Sequence, residues 1–289
     1  MQFSGLQVYA PGKVNLSLKV VGTLPSGLHL IDSVVVQVSL YDVLIVDELR
    51  IGVSEPDFEI RVETDRPSVP DGPANLVFRA AQAFASRTQE SILFKARIRK
   101  TIPSGAGLGG GSSDAAATLR LLNRASGERL SETELESLAS TIGADVPLFL
   151  TVGPKRVCGV GEILVAYDAP VPRHLVLCSD GTELSTAAVY REYDDALTRP
   201  VGQSRKPDSV VAMADAIESS NDLEDAATAL HPGIRLVRVE LLRRGGREVA
   251  MTGSGSVVFG AFQAKAEAIR VAAELRSDSF WAQAVETLG

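Results

Sequence analysis

The chain has 289 residues, enough for two domains of ordinary size. Its hydrophobic content of 45% and charged content of 22% are typical of a globular protein, and its net charge of −7 makes nucleic acid an unfavourable partner. Gln37 and Asp42 interrupt the apolar stretch at 34–46, so it does not have the composition of a membrane span. The first residues lack the apolar core of a signal peptide, and we expect a cytoplasmic protein.

Strands dominate the predictions for the first part of the chain. Between Val14 and Val20 apolar and polar residues alternate, which is the pattern of a half-buried strand. Similar segments continue this pattern, joined by short polar turns. The predicted strands lie at 14–20, 32–40, 42–49 and 58–64.

Helices and strands alternate in the next part. We expect a helix at 76–84, a strand at 91–101, helices that open at Asp114 and Ser131, and a strand at 147–152. Ser131 and Glu134 have the spacing of a capping box, and the helix behind them is expected to end at Gly143.

The remaining chain also mixes strands and helices, which favours an α+β fold over a doubly wound sheet. Cys158 and Cys178 have no metal-ligand spacing and are expected to be reduced thiols in the core. We place a domain boundary between about 153 and 173. The predicted strands lie at 155–167, 174–179, 248–251, 256–262 and 281–288, the helices at 209–219, 222–230, 233–244 and 263–277, and a polar segment runs from about Thr198 to Asp208.

The most informative segment is the sequence PSGAGLGGGSS at 103–113, here called the glycine loop. Five glycines within seven positions let the backbone approach a ligand closely, and the helix that follows favours an anion at its N-terminus. Gly105, Gly107 and Gly110 fit a dinucleotide fingerprint, but the second strand and acid that this fingerprint needs do not follow. A Walker A loop requires Lys-Ser/Thr after the last glycine, where Gly111 and Ser112 stand. A flexible linker is the plain alternative to a phosphate loop.

Three further features are each weak evidence of function when taken singly. Lys13 follows Pro-Gly at the start of a strand, where an edge charge is the common role. Asp145 lies between a helix end and the next element, where a turn acceptor is common. The segment TGSGS at 252–256, here called the serine loop, has the composition of a simple hairpin turn.

Together with the glycine loop, these features resemble the three motifs of the GHMP kinases, in the same order along nearly the whole chain. The resemblance implies a two-domain α+β fold, with an N-terminal domain like domain 2 of ribosomal protein S5 and a ferredoxin-like C-terminal domain. We expect these domains at 1–160 and 161–289. It also implies a small-molecule kinase that uses ATP and Mg²⁺, with no nucleic-acid or membrane partner, as a monomer or weak homodimer.

The segments GLGGGSS, GADVP and NDLE resemble one branch of that family, which phosphorylates the 2-hydroxyl of 4-diphosphocytidyl-2-C-methyl-D-erythritol in the non-mevalonate isoprenoid pathway. The chain departs from the DGYHEL-type motif of that branch, since Ser26, Leu28 and Leu30 replace its Asp, Tyr and Glu. Leucine cannot stack on cytosine as tyrosine can. Two alternatives stay open: a GHMP kinase whose acceptor lacks cytidine, and a catalytically silent nucleotide-binding regulator on the same fold.

The resemblance also implies roles for individual residues. Asp145 is the expected general base and Lys13 the cation beside it. Asn15, Leu28, His29 and Tyr190 are expected to bind the acceptor. The expected nucleotide-binding residues are Asn75, Lys100, Pro103, Ser104, Gly105, Ala106, Gly107, Leu108, Gly109, Gly110, Gly111, Ser112 and Ser113.

Overall fold

The computed structural model describes residues 2–52, 59–198 and 220–289. The predicted polar segment after Thr198 and the predicted helix at 209–219 fall on residues 199–219, outside the described part. Strands and helices mix throughout, so the predicted α+β class is confirmed. The strands are β1 (Gln2–Phe3), β2 (Leu6–Thr23), β3 (His29–Ile51), β4 (Glu59–Thr64), β5 (Ile92–Arg99), β6 (Lys155–Gly159), β7 (Ile163–Ala166), β8 (His174–Ser179), β9 (Arg247–Met251), β10 (Val258–Phe262) and β11 (Trp281–Glu286). The α-helices are α1 (Leu76–Thr88), α2 (Gly110–Ala125), α3 (Glu132–Ile142), α4 (Thr186–Thr198), α5 (Glu224–Leu230), α6 (Gly233–Arg243) and α7 (Lys265–Ser277).

The first sheet has seven strands and is organised around the long strand β3. Its order is β4-β5-β3-β6-β7, with β1 and β2 also paired to β3. The two strands predicted at 32–40 and 42–49 are therefore one strand, which corrects the sequence prediction. Pro11 pairs with Tyr41 whereas Gly12 pairs with Val38, so a bulge in β3 lies where the apolar pattern breaks.

The second sheet has four antiparallel strands in the order β11-β8-β10-β9. Helices α4, α5 and α6 connect β8 to β9, and α7 connects β10 to β11. This β-α-β-β-α-β order is the ferredoxin-like arrangement expected for the second half. The first sheet ends at Ala166 and the second begins at His174. A boundary at residue 160 would separate β7 from β6, although Cys158 pairs with Ile163.

Residues Pro147–Phe149 form a 3-10 helix, not the strand expected at 147–152. Pro147 occupies the first turn, where its missing N–H costs nothing. Leu148 and Phe149 are both buried, whereas a half-buried strand would alternate. Asp145 thus lies between two helical elements.

The two sheets share a core that lies beneath the site. Val14 and Val36 of the first sheet pack in one apolar cluster with Leu177 and Phe259 of the second. Both sheets contribute to this cluster, so loops from the two halves meet directly above it. Among the described residues, none of the helices is long and apolar enough to cross a membrane.

Candidate active site

Helix α2 begins at Gly110, four residues before the start at Asp114 that the sequence predicts. Gly109 precedes it with φ of 70°, in the left-handed region that favours glycine. The first bond of the helix runs from the Ser113 N–H to the Gly109 carbonyl. The N–H groups of the three residues before Ser113 are therefore free to bind an anion at the positive end of the helix dipole.

The glycine loop forms one wall of a cavity of about 390 Å³. Outside this loop, the lining consists of residues 68–70, Ala74, Asn75, Leu76, Lys100, Ile102 and Asp114. The predicted nucleotide residues Asn75 and Lys100 are thus at the cavity. Asn75 also caps α1, since its Oδ1 accepts from the Val77 N–H and its Nδ2 donates to the Pro70 carbonyl.

The glycine loop and the serine loop touch backbone to backbone. A Cβ on Gly107 would lie 2.5 Å from the Thr252 carbonyl oxygen, and a Cβ on Gly253 would lie 3.1 Å from the Gly107 Cα. No side chain fits at either position. The two small-residue motifs, 145 positions apart in sequence, therefore form one continuous rim of the site.

The ammonium group of Lys13 lies at this rim. The backbone N–H of Lys13 donates to the Leu108 carbonyl at 2.9 Å. A Cβ on Gly253 would be 3.2 Å from the Lys13 Nζ. The side chain is buried, and its Nζ donates to Asn15 Oδ1 at 2.5 Å. Burial lowers the pKa of Lys13, and the nearby carboxylate of Asp145 opposes this effect.

Asn15, which is expected to bind the acceptor, makes several hydrogen bonds within the protein. Its Nδ2 donates to Ser33 Oγ, and its backbone N–H donates to Thr252 Oγ1. Its Oδ1 accepts from Lys13. These bonds orient the lysine and join the first sheet to the serine loop.

Asp145 is exposed, and it lies at the end of α3, where the Gly143 N–H closes the helix on the Ala139 carbonyl. Its charge interacts with Lys13, and it contributes to the raised pKa of Tyr190, whose largest cause is burial. Lys13 and Tyr190 are therefore both near enough to Asp145 to interact with its charge. Being exposed, the Asp145 carboxylate is accessible to a substrate hydroxyl.

Behind the glycine loop lie three buried charged residues, here called the charge cluster: Asp42, Lys100 and Asp114. The Lys100 Nζ donates to Asp42 Oδ2 at 2.5 Å and to Asp114 Oδ2 at 2.7 Å. Burial disfavours the ammonium form, but the two carboxylates outweigh this effect and raise the pKa of Lys100. The lysine is therefore held by the protein, which limits its freedom to bind a nucleotide.

The two acids of the charge cluster have different surroundings. Asp42 Oδ1 accepts from the N–H groups of Thr101 and Ile102, so both of its oxygens are bonded. Asp114 Oδ1 is buried and has no hydrogen-bond partner in the described part of the chain. Burial raises the pKa of Asp114 to about 7, although Lys100 opposes the shift. Asp42 also touches the loop, because a Cβ on Gly110 would lie 3.0 Å from its Oδ2.

The predicted acceptor residues His29 and Tyr190 lie against each other. Their rings stack with centroids 4.6 Å apart and an interplanar angle of 28°. His29 Nε2 is 2.7 Å from Asp194 Oδ1. Leu28, which precedes His29 in the chain, is 55% exposed. Because His29 and Tyr190 contact each other directly, a base cannot be sandwiched between these two rings.

The segment NDLE at 221–224 joins several elements. The Asn221 Nδ2 donates to the Met251 and Gly253 carbonyls, which fixes the serine loop. Asp222 Oδ2 accepts from the Val20 N–H, and Glu224 Oε2 accepts from the Met251 N–H. The segment therefore holds the serine loop against the first sheet.

Sequence reasoning missed the roles of Asp42, Asp114 and Asp194. A signal for Asp42 was present, since it is a charge within an apolar strand pattern. Asp114 has a weaker signal as an acid on the buried face of an alanine-rich helix. Asp194 has none, because its partner His29 lies 165 positions away.

Family models match both halves of the chain. Residues 75–153 match the model for the GHMP kinases N terminal domain, and residues 208–279 match the model for GHMP kinases C terminal. The fold is thus that of a GHMP kinase, a class that uses ATP as phosphate donor.

Relatives that match over the whole length narrow this class. The 4-diphosphocytidyl-2-C-methyl-D-erythritol kinase of Citrifermentans bemidjiense is 37% identical over 98% of this chain and 99% of its own length. The kinase of the same name from Bacillus velezensis is 37% identical over 97% of this chain and 96% of its own. A crystal structure of 4-(cytidine 5'-diphospho)-2C-methyl-D-erythritol kinase is 33% identical, with a TM-score of 0.76, over 98% of this chain and 99% of that one. The chain belongs to the GHMP kinase family, in the branch of the 4-diphosphocytidyl-2-C-methyl-D-erythritol kinases.

More distant structures share the fold alone. The homoserine kinase of Cytophaga hutchinsonii is 18% identical, with a TM-score of 0.64, over 99% of this chain and 95% of that one.

Proposed function

We propose that the chain transfers the terminal phosphoryl group of ATP to the 2-hydroxyl of 4-diphosphocytidyl-2-C-methyl-D-erythritol, a step in the non-mevalonate synthesis of isoprenoid precursors. The observation that carries this proposal is the position of Lys13 at the rim of the two loops with the charge of Asp145 beside it. The relatives that match the whole chain are named for this acceptor.

The donor phosphates would bind at the N-terminus of α2. Its free N–H groups and the close approach of the two loops provide a concave, positively polarised surface. The Nζ of Lys13 lies at the edge of this surface. Phosphoryl transfer depends mainly on such positioning and charge stabilisation.

Mg²⁺ fits this site as an ion bound mainly by ATP. In the described part of the chain, no group of three or more His, Cys, Asp or Glu side chains could hold a metal. Mg²⁺ commonly binds through phosphates and waters with few protein ligands. The Ser113 hydroxyl is buried in the first turn of α2, has no hydrogen-bond partner among the described residues, and is suited to meet the ion or a phosphate oxygen. When bound, the ion neutralises phosphate charge.

Asp145 would accept the proton of the acceptor hydroxyl as that oxygen attacks the terminal phosphorus. The charge of Asp145 interacts with the nearby ammonium of Lys13. Asn15 holds the lysine, so its charge is already in place when negative charge develops on the transferring group. We therefore assign Lys13 and Asp145 as catalytic residues and Asn15 as a positioning residue.

The cytidine end would lie near Leu28, His29 and Tyr190. His29 and Tyr190 already contact each other, so their combined surface, not a slot between them, would meet the base. The exposed side chain of Leu28 offers an apolar contact beside it.

A phosphorylation screen tests the proposal. Purified protein with Mg-ATP is offered 4-diphosphocytidyl-2-C-methyl-D-erythritol, homoserine or mevalonate, and ADP release is measured with phosphorus NMR of the product. We expect a new phosphomonoester only with the first acceptor. Turnover of another alcohol alone would favour the kinase whose acceptor lacks cytidine. The absence of ADP release with every acceptor would favour the silent regulator.

A further inference from the structure

His29 is held by three side chains from one face of α4. Its ring stacks on Tyr190, and Tyr193 approaches its edge with centroids 6.0 Å apart and an interplanar angle of 81°. Asp194 Oδ1 lies 2.7 Å from its Nε2. Residues 190, 193 and 194 have the i, i+3, i+4 spacing that places side chains on one helix face. His29 opens β3 of the first sheet, so the second half of the chain fixes a ring that belongs to the first.

The bond to Asp194 determines which ring nitrogen carries the proton. An ionised carboxylate only accepts hydrogen bonds, so Nε2 must donate. In a neutral imidazole, Nδ1 is then an acceptor. Among the described residues Nδ1 has no hydrogen-bond partner, and it is not one of the atoms that the fold buries unpartnered. It remains free to accept a hydrogen bond from a ligand.

An acceptor nitrogen distinguishes pyrimidine bases by chemistry. Cytosine presents an amino donor at its position 4, whereas uracil-type bases present a carbonyl acceptor there. Nδ1 can bond the amino group, but it would face the carbonyl oxygen lone pair to lone pair. Sites built to hydrogen-bond a substrate group discriminate strongly against analogues that lack it.

We propose that Asp194 is a positioning residue that fixes the Nε2–H tautomer of His29, so that Nδ1 selects an acceptor whose base carries an amino group. This inference rests on the proposed function, since it requires a cytidine-type acceptor beside His29. Asp194 is 50% exposed, and the side chain of His29 only 8%. The partly exposed carboxylate of Asp194 therefore acts on a buried ring that the two tyrosines hold in place.

The test compares wild type, Asp194→Ala and Asp194→Asn at pH 8 on the natural cytidine acceptor and its uridine analogue. We expect wild type to prefer the cytidine acceptor in kcat/KM. Asp194→Ala should reduce this preference at least tenfold, mainly through KM, with the KM for ATP unchanged. Asp194→Asn should restore much of it, because an amide oxygen can also accept from Nε2. Asp195→Ala removes a neighbouring charge on α4 and should keep the wild-type preference.

Nitrogen-15 NMR of the His29 ring supplies a readout that simple destabilisation would not reproduce. Wild type should show the Nε2–H tautomer, and Asp194→Ala a mixture of the two. An Nδ1–H tautomer in wild type, or an unchanged preference in Asp194→Ala, overturns this inference alone. An equal kcat/KM of wild type on the cytidine and uridine acceptors also overturns this inference alone. No turnover of the cytidine acceptor by wild type overturns the proposed function together with this inference.

Discussion

The carbonyl oxygen of Thr252 lies 2.5 Å from the point where a Cβ on Gly107 would stand. This spacing means that the two loops of the site are in contact through their backbones. Gly107 also has φ of 73°, which disfavours any side chain. The contact therefore sets both the shape of the glycine loop and its distance from the serine loop.

Gly107→Ala should lower the free energy of unfolding by about 2 kcal/mol or more, because it combines overpacking with backbone strain. It should also weaken binding of a non-hydrolysable ATP analogue. Gly111→Ala is the matched control, since its Cβ would meet only Leu76 Cδ1 at an ordinary 3.5 Å. Thermal denaturation measures the stability of each variant, and calorimetry measures its affinity for the ATP analogue. Equal stability of the two variants would show that the loops separate without cost.

Asp145→Asn should lower turnover about 10²-fold or more, the scale of a lost general base. Because Asp145 is exposed, the fold and the affinity for ATP should stay nearly unchanged. Steady-state kinetics and calorimetry with an ATP analogue separate these effects. Asp168→Asn, at another exposed aspartate, should retain the wild-type rate. A near-wild-type rate in Asp145→Asn would leave this residue as a helix-end acceptor only.

Asp114 should make stability depend on pH. Its pKa rises from 3.8 to about 7 in the folded protein, chiefly through burial. Between these values the folded state binds more protons than the unfolded state, so the free energy of unfolding falls as pH rises. Above about pH 7 this decrease in the free energy of unfolding is complete.

Asp114→Asn removes this titration, since an amide oxygen can still accept from Lys100. The melting temperature of the variant minus that of wild type should therefore increase between pH 5 and pH 8. Asp168→Asn should show a difference that does not change with pH. A variant that loses more stability at pH 8 than at pH 5 would show that the Asp114 carboxylate is ionised and stabilises Lys100.

Local chemistry made part of this protein predictable. The Ser131–Glu134 capping box is present as expected, because the two residues are three positions apart and need no tertiary partner. The glycines at 105–111 and the helix that follows them predict a phosphate-binding loop, and the structure has helix α2 directly behind these glycines. The α+β class followed from the order of the periodic segments.

Contacts between distant segments were not predictable in the same way. Nothing in the pattern around Asp42 shows that Lys100 and Asp114 would bond to it. The strand expected at 147–152 was wrong because its apolar residues are buried together, which a short apolar run does not reveal. The sequence also does not show that Asn15, which is expected to bind the acceptor, accepts a hydrogen bond from Lys13.

Leu28 is the position at which the chain departs from the aromatic residue of its branch. It is 55% exposed, and its carbonyl accepts from the Leu24 N–H, so a larger side chain needs no change in the backbone. Leu28→Tyr should lower the KM for the cytidine acceptor about fivefold, because stacking on a base is worth about 1 kcal/mol at the low end. The contact is remote from the reacting hydroxyl, so kcat should change less than KM.

Leu24→Tyr adds the same ring at an exposed position of the same turn and should leave the KM unchanged. Steady-state kinetics of the three proteins, with ATP saturating, decide the question. If both tyrosine variants lower the KM equally, added apolar surface is responsible and not a stack at residue 28. If Leu28→Tyr raises the KM, the leucine is the residue that fits this pocket, and the acceptor base lies closer to Leu28 than an aromatic ring permits.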